Sequence, residues 1–328
     1  MSCPDAFNCL NVEAKDDETY ISSCCVMPSW KVENIDFIND ENFKRIREQW
    51  NNGEWPDECS YCKTVEDRGD RSRRHGSIEW EERNINDGVD YTDKILKIDY
   101  WTGNNCNLRC AICGPRFSIA WQKELGIEKQ KRVTQTNKFW KTIDVDEVRW
   151  VHFNGGEPML VDEHWELLKK IKNKENVVLN YNTNASVLPK PELVDLWSQF
   201  KLVSLDFSID DIGKRFEYQR YPAKWEKIVE NLFWFREQMP VNVMFGVNSA
   251  LGILNYNNYP HLKNWFNENF STNRVTDPVR LVWQSTDGIL SKDVKDKRKV
   301  VEYLNRLDKR RGSNWRETFP ELIDFLYN

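Results

Sequence analysis

The sequence predicts an α/β protein, a partial, open TIM-like (β/α)6 barrel preceded by a small cysteine-rich metal-cluster domain. Three observations predict it. From residue 95 onward, β-branched and aromatic runs alternate with stretches of helical periodicity. Polar residues and glycines stand at the C-terminal ends of those runs, where a parallel barrel presents its ligand groups. All nine cysteines lie at or before Cys113. The expected organisation is an auxiliary metal-cluster unit over 1–92, the barrel over 93–290 and a closing helical segment over 291–328.

The elements follow in chain order. Phe7, Leu10 and Val12 read as a strand-like lead. From Glu66 to Gly88 acidic and basic side chains interleave before Asn84-Ile-Asn-Asp-Gly88, and the second half of this stretch reads as a polar linker, since mixed charge is usually a solvated face. Ile95 to Trp101 reads as the first barrel strand, and Val148 to Asn154 as the second, ending at Gly155-Gly156. Asn176 to Asn184, Lys201 to Asp210, Val241 to Ser249 and Val279 to Trp283 read as strands three to six. Trp225, Ile228, Leu232 and Phe235 recur at helical spacing, a second helix covers Tyr259 to Phe270, and Ser291 to Arg311 reads as a charged closing helix. Most of the 15 Trp are expected in the core. Trp283, followed by Gln284 at a strand end, is the best candidate for stacking on a substrate.

The chemistry begins at Asn105-Cys-Asn-Leu-Arg-Cys-Ala-Ile-Cys-Gly114, where Cys106, Cys110 and Cys113 are spaced C-x3-C-x2-C on one loop. A cubane 4Fe-4S cluster wants four thiolates, so three leave one iron open to a small molecule. The competing reading is a Cys3His zinc site completed by a distant histidine. About forty residues later, Gly155-Gly156 allow close backbone approach, Glu157 offers a carboxylate suited to an ammonium group, and Pro158 fixes the turn.

Triad and GGEP turn together resemble the radical S-adenosylmethionine (radical SAM) enzymes, whose cluster loop follows the first barrel strand and whose GGEP-type turn ends the second. The resemblance extends along the chain to Asn182 and Asn184 at the third strand end, to Ser208-Ile-Asp210 at the fourth, and to Tyr218-Gln-Arg220. It implies that Ser208 and Asp210 face the ribose of S-adenosylmethionine and that Arg220 meets its methionyl carboxylate. Ile112 stands where relatives often carry an aromatic residue. Taken from the residues alone, Asn182 and Asn184 are equally turn residues, and Arg220 is equally a surface ion pair.

Cys59-Ser-Tyr-Cys62 is a C-x2-C chelate, and the Cys24-Cys25 pair with Cys3 completes four thiolates. This set resembles the auxiliary-cluster (twitch or SPASM-like) modules attached to many radical SAM enzymes, here placed before the barrel instead of after it. The expected ligands are Cys3, Cys24, Cys59 and Cys62 around a second 4Fe-4S cluster. Cys25 rivals Cys24, because adjacent residues of an extended segment point to opposite faces. A structural zinc ribbon on the same ligands is the alternative, and Cys9 reads as a small core residue.

Length and apolar content permit a large core and more than one domain. A net charge of −5 gives no electrostatic support for nucleic acid. No apolar run reaches spanning length and the N-terminus lacks signal-peptide regions, so no membrane association and a cytoplasmic location are expected. Reduced thiols in that compartment favour metal ligation over disulfides. The resemblance implies reductive cleavage of S-adenosylmethionine, hydrogen abstraction from a peptide or protein or from a small-molecule metabolite, and an electron donor such as flavodoxin or ferredoxin. The reading from a different class is a zinc-stabilised, non-catalytic binding protein.

Overall fold

The computed structural model describes residues 2–15, 18–85, 91, 94–128, 139–270, 280–282, 290–291 and 294–327. Its centre is one nine-stranded sheet in the order β3-β2-β1-β4-β5-β6-β7-β8-β9. Six strands, β4 (Lys97–Trp101), β5 (Trp150–Asn154), β6 (Val178–Thr183), β7 (Leu202–Ser208), β8 (Val243–Ala250) and β9 (Arg280–Val282), run parallel in sequence order. They correspond to the six expected runs; Trp283 and Gln284 lie outside the described residues.

Side-chain alternation divides this sheet into two chemically distinct faces. Ile98, Tyr100, Val151, Phe153, Leu179, Tyr181, Val203, Leu205, Phe207, Phe245 and Val247 are fully buried in the main core, together with Trp197 and with Ile228, Leu232 and Phe235 of the helix Trp225–Gln238. Trp165, Trp225 and Trp234 pack against the same core. Asp99, His152, Asn154, Asn180, Asn182, Asp206 and Asn248 occupy the alternate positions and hydrogen-bond across strands on the other face. A sheet covered on one side by helices and polar on the other is an open barrel wall with a wet interior.

The N-terminal segment joins this sheet. β1 (Cys9–Lys15) runs parallel to β4, pairing Leu10 with Ile98, and β2 (Glu18–Ser22) and β3 (Trp30–Val32) continue antiparallel. Leu10 and Val12 alternate into the core as the lead predicts, whereas Phe7 belongs to a short helix, Pro4–Asn8. Cys9 is buried.

Two sequence expectations need correction. The supposed linker is a helix, Arg73–Asn84, because Ser72 and His75 form a reciprocal capping box at its start. Glu66 holds that start in place, accepting from Arg74 Nε at 3.0 Å and from Ser72 Oγ at 2.5 Å. The closing helix spans Lys297–Arg311 rather than beginning at Ser291; Asp296 caps it by accepting from Lys299 N. Two further helices, Trp315–Thr318 and Glu321–Tyr327, pack beyond it through Trp315, Phe319, Leu322 and Leu326.

Candidate functional site

The cluster loop leaves the end of β4 and is fixed on three sides by backbone hydrogen bonds. Arg109 N donates to Tyr221 O and Ala111 N to Gln219 O, each at 2.7 Å, which ties the loop to the segment after the helix Gly213–Gln219. From the closing helix, Tyr303 Oη donates to Ala111 O at 2.5 Å and Arg311 to Arg109 O at 2.7 Å. On the third side, Gly156 N donates to Gly103 O at 2.6 Å and Glu157 N to Asn105 O at 2.9 Å.

That last contact explains the paired glycines. A Cβ on Gly155 would stand 2.7 Å from Gly103 O, at a φ of +127°, and one on Gly156 would stand 2.6 Å from Asn105 O. The glycines let the GGEP turn press against the cluster loop itself, whereas the sequence suggested approach to a ligand. Pro158 begins the 3-10 turn Pro158–Leu160.

Glu157 is fully buried and points inward. Its carboxylate accepts from Met159 N at 3.1 Å, Thr183 Oγ1 at 2.8 Å and Asn184 N at 2.7 Å. Burial pushes its pKa up to about 7 in spite of these donors. In this position the side chain clamps the end of β6 to the turn.

Around the triad the polar residues converge. Cys110 is buried and Cys106 and Cys113 are half-buried. Arg220 Nη1 lies 4.0 Å from Cys110 Sγ, Asn184 Nδ2 lies 3.8 Å from Cys106 Sγ, and Leu108 N lies 3.5 Å from the same sulfur. Arg220 is 8% exposed, so it is not a surface ion pair. It donates from Nε to buried Asp210 at 2.8 Å, and the other Asp210 oxygen accepts from Ala250 N at 2.8 Å. Ser208 closes β7 in register with Asn248. Asn182 lies in the barrel wall, donating to His152 Nε2 at 2.9 Å and accepting from Asn248 at 2.8 Å.

The donor set fits an iron-sulfur cluster. Burial raises all three thiols, Cys113 to about 12, so they need positive charge beside them to ionise. Arg220 supplies part of that charge, and N–H groups point at two sulfurs. Among the described residues no three His, Cys, Asp or Glu side chains close on one point as a single metal ion requires. At the N-terminus, Cys3, Cys24, Cys59 and Cys62 line one cavity with Trp50, Trp55 and Arg74, and Cys25 is absent from its lining. Cys25 instead lies near Asp99, whose negative charge adds to the effect of burial on its thiol. It is accessible to solvent, but from a deep position where surrounding protein pushes its thiol up to about 12.

Sequence reasoning missed the pair that links these regions. Asp99 on β4 sits between Cys25 and His152, whose Nδ1 lies 2.9 Å from its carboxylate. Asn154 Nδ2 also donates to Asp99, at 2.7 Å. The signal was the alternation Trp150-His152-Asn154 and Asn180-Asn182, polar side chains at every second position of otherwise apolar strands.

Comparison with known proteins agrees with this arrangement. Residues 101–258 match the radical SAM superfamily. No curated protein matches the chain in sequence. Among solved structures, Streptococcus suis SuiB bound to precursor peptide SuiA is similar at 14% identity, over 95% of this chain and 74% of that one, with a TM-score of 0.44. Native anSMEcpe with bound AdoMet is similar at 14% identity, over 69% and 62% of the two chains, with a TM-score of 0.44. With its three-cysteine loop, GGEP turn and family match on one stretch of sheet, the chain carries a radical SAM domain, the domain of radical SAM enzymes, over residues 101–258.

Proposed function

We propose that the protein abstracts a hydrogen atom from a peptide or protein side chain held in the polar barrel interior. The observation that carries the reading is the convergence of Arg220 and Asn184 on the sulfurs of Cys110 and Cys106. Cys106, Cys110 and Cys113 would hold a 4Fe-4S cluster, which together with S-adenosylmethionine would supply the radical chemistry of hydrogen abstraction. The chain's own contribution is binding, orientation and exclusion of water. Arg220, held in direction by Asp210, would meet the methionyl carboxylate. The Gly155-Gly156-Glu157-Pro158 turn, with the Glu157 carboxylate, would face the ammonium group. Ser208, Asn182 and Asn184 would line the remaining cofactor surface.

In the same reading, residues 1–92 form an auxiliary unit with a second 4Fe-4S cluster on Cys3, Cys24, Cys59 and Cys62. Their shared cavity supports this ligand set over one containing Cys25. Residues 93–290 form the barrel and 291–328 the closing segment. Donors and acceptors of His152, Asn154, Asn180, Asn182 and Asn248 line the open face, as amide groups of a peptide require. Among the described residues no helix is long and apolar enough to cross a membrane, and a cytoplasmic location belongs to this reading.

The test is anaerobic reconstitution, reduction with dithionite and assay of 5'-deoxyadenosine. Cys106→Ala, Cys110→Ala or Cys113→Ala should each abolish its formation. Deuterated S-adenosylmethionine offered with peptide and metabolite fractions then decides the substrate: mass shifts confined to metabolites would sink the peptide half of the reading.

A further inference from the structure

The N-terminal cavity carries a charge arrangement that its four cysteines alone do not explain. Its lining also holds two carboxylates, Asp5 and Glu58, and two consecutive arginines, Arg73 and Arg74. Both carboxylates are committed to partners of their own: Asp5 accepts from Ser77 Oγ and pairs with Lys97, and Glu58 pairs with Arg45. Arg73 Nε lies 3.7 Å from Asp5. Arg74 is 6% exposed and is held by Glu66, which is absent from the lining. Its Nε donates to one carboxylate oxygen at 3.0 Å and its Nη2 to the other at 2.5 Å. That fork occupies one edge of the guanidinium and leaves Nη1 buried, without a hydrogen-bond partner among the described residues. The Trp55 ring, also on the lining, fixes the plane of the group, with 5.3 Å from ring centre to Cζ.

A buried N–H without an acceptor is costly, so the acceptor of Nη1 belongs in the cavity. Sulfur is what surrounds that space: Cys3 and Cys62 lie close enough to help raise the pKa of Arg74, behind the larger effect of Glu66. Ser23 Oγ, buried on the same lining, is a second donor with no partner among the described residues. Four thiols with free donors aimed between them fit the thiolate and sulfide acceptors of an iron-sulfur cluster. Hydrogen bonds to the sulfurs and positive charge beside them favour the more negative, reduced form of such a cluster and raise its reduction potential.

We propose that Arg74 sets the reduction potential of the N-terminal cluster, with Nη1 donating to a cluster sulfur and the guanidinium charge stabilising the reduced form. The inference rests on the second-cluster reading of Cys3, Cys24, Cys59 and Cys62. Arg74 binds no iron and acts through its hydrogen bond and its charge. On reduction one electron enters the cluster, the guanidinium keeps its proton, and no bond to the chain is made or broken. Glu66 has the opposite influence, because its carboxylate offsets part of the positive charge that the cavity feels.

The test uses the full-length Cys106→Ala/Cys110→Ala/Cys113→Ala variant, reconstituted anaerobically with iron and sulfide, so that an EPR-monitored redox titration follows the N-terminal cluster alone. Adding Arg74→Gln should lower the ratio of reduced to oxidised cluster at a fixed potential tenfold or more, a downward shift of about 59 mV for a one-electron couple. Adding Glu66→Gln instead should raise that ratio. A role confined to fixing the start of the helix Arg73–Asn84 predicts lower thermal stability in both variants and no shifts of opposite sign. Unchanged potentials, or shifts in the same direction, would overturn the proposal. Should Arg74→Gln take up no iron, the sign of the Glu66→Gln shift decides alone. A triple variant that binds zinc and no iron would overturn the second-cluster reading and the inference with it, whereas bound iron with unmoved potentials would overturn the inference only.

Discussion

Single side chains at this site show how burial sets charge. Glu157 is ionised with difficulty, its pKa raised to about 7 by desolvation that three donors only partly offset. Between its ordinary value near 4.5 and about 7 the folded protein keeps a proton that the unfolded chain has lost, so this residue's contribution to stability falls as pH rises. His164 acts in the opposite sense. It is fully buried, donates from Nδ1 to Val161 O, accepts at Nε2 from Tyr181 Oη at 3.1 Å, and desolvation lowers its pKa to about 4. Below its ordinary value near 6.5 the unfolded chain gains a proton that the folded one refuses, so stability is lost as pH falls toward 4. The two slopes, each about 1.4 kcal/mol per pH unit, oppose one another between pH 4.5 and 6.5. Urea denaturation of His164→Gln should therefore show stability decreasing across that window, and Glu157→Gln should show it increasing. Parallel curves for both variants would refute these assignments. Arg220→Ala should cost about 3 kcal/mol or more, because Asp210 is left buried and unpaired; a midpoint shift worth less than 1 kcal/mol would contradict that.

At the scale of elements, the GGEP turn is a fitted surface. Gly155→Ala adds a Cβ 2.7 Å from Gly103 O and forces an L-residue to a φ of +127°. Strain of this kind costs on the order of 2 kcal/mol, and it falls on the loop that carries Cys106. We expect lower thermal stability and loss of iron from the triad in this variant, measured by calorimetry and iron analysis. Full iron content at wild-type stability would show that the turn has room to spare. The helix Arg73–Asn84 teaches a complementary lesson. Its mixed charges suggested a solvated linker, yet its first turn is fixed by Glu66, Ser72 and Arg74, and Ser77 donates to buried Asp5 at 2.5 Å. Helix propensity was present in the residues, but the partner that anchors the helix came from the opposite end of the segment.

Across the whole molecule, the N-terminal segment and the barrel share one sheet, which brings two cysteine sets to the same body. If the cavity holds a second cluster, the triple variant of Cys106, Cys110 and Cys113 to Ala should still bind about four irons, the cubane stoichiometry. Adding Cys24→Ala should remove them and adding Cys25→Ala should not. Zinc in place of iron would make the site structural.

What the sequence determined by itself was everything that depends on local spacing. The triad, the GGEP turn, the six parallel strands and the helical faces were legible because loop geometry and period-two or period-3.6 patterning act over a few residues. Tertiary structure decided what depends on meeting across the chain. That Glu157 turns inward follows from the arrival of Thr183 and Asn184, and that Arg220 is buried follows from its pairing with Asp210 beside Cys110. The choice of Cys24 over Cys25 as the residue lining the N-terminal cavity was of the same kind. Cys24 and Cys25 stand in the turn that follows β2, where Met27 N donates to Cys24 O at 3.2 Å, and the packing of that turn puts Cys24 in the cavity and Cys25 outside its lining.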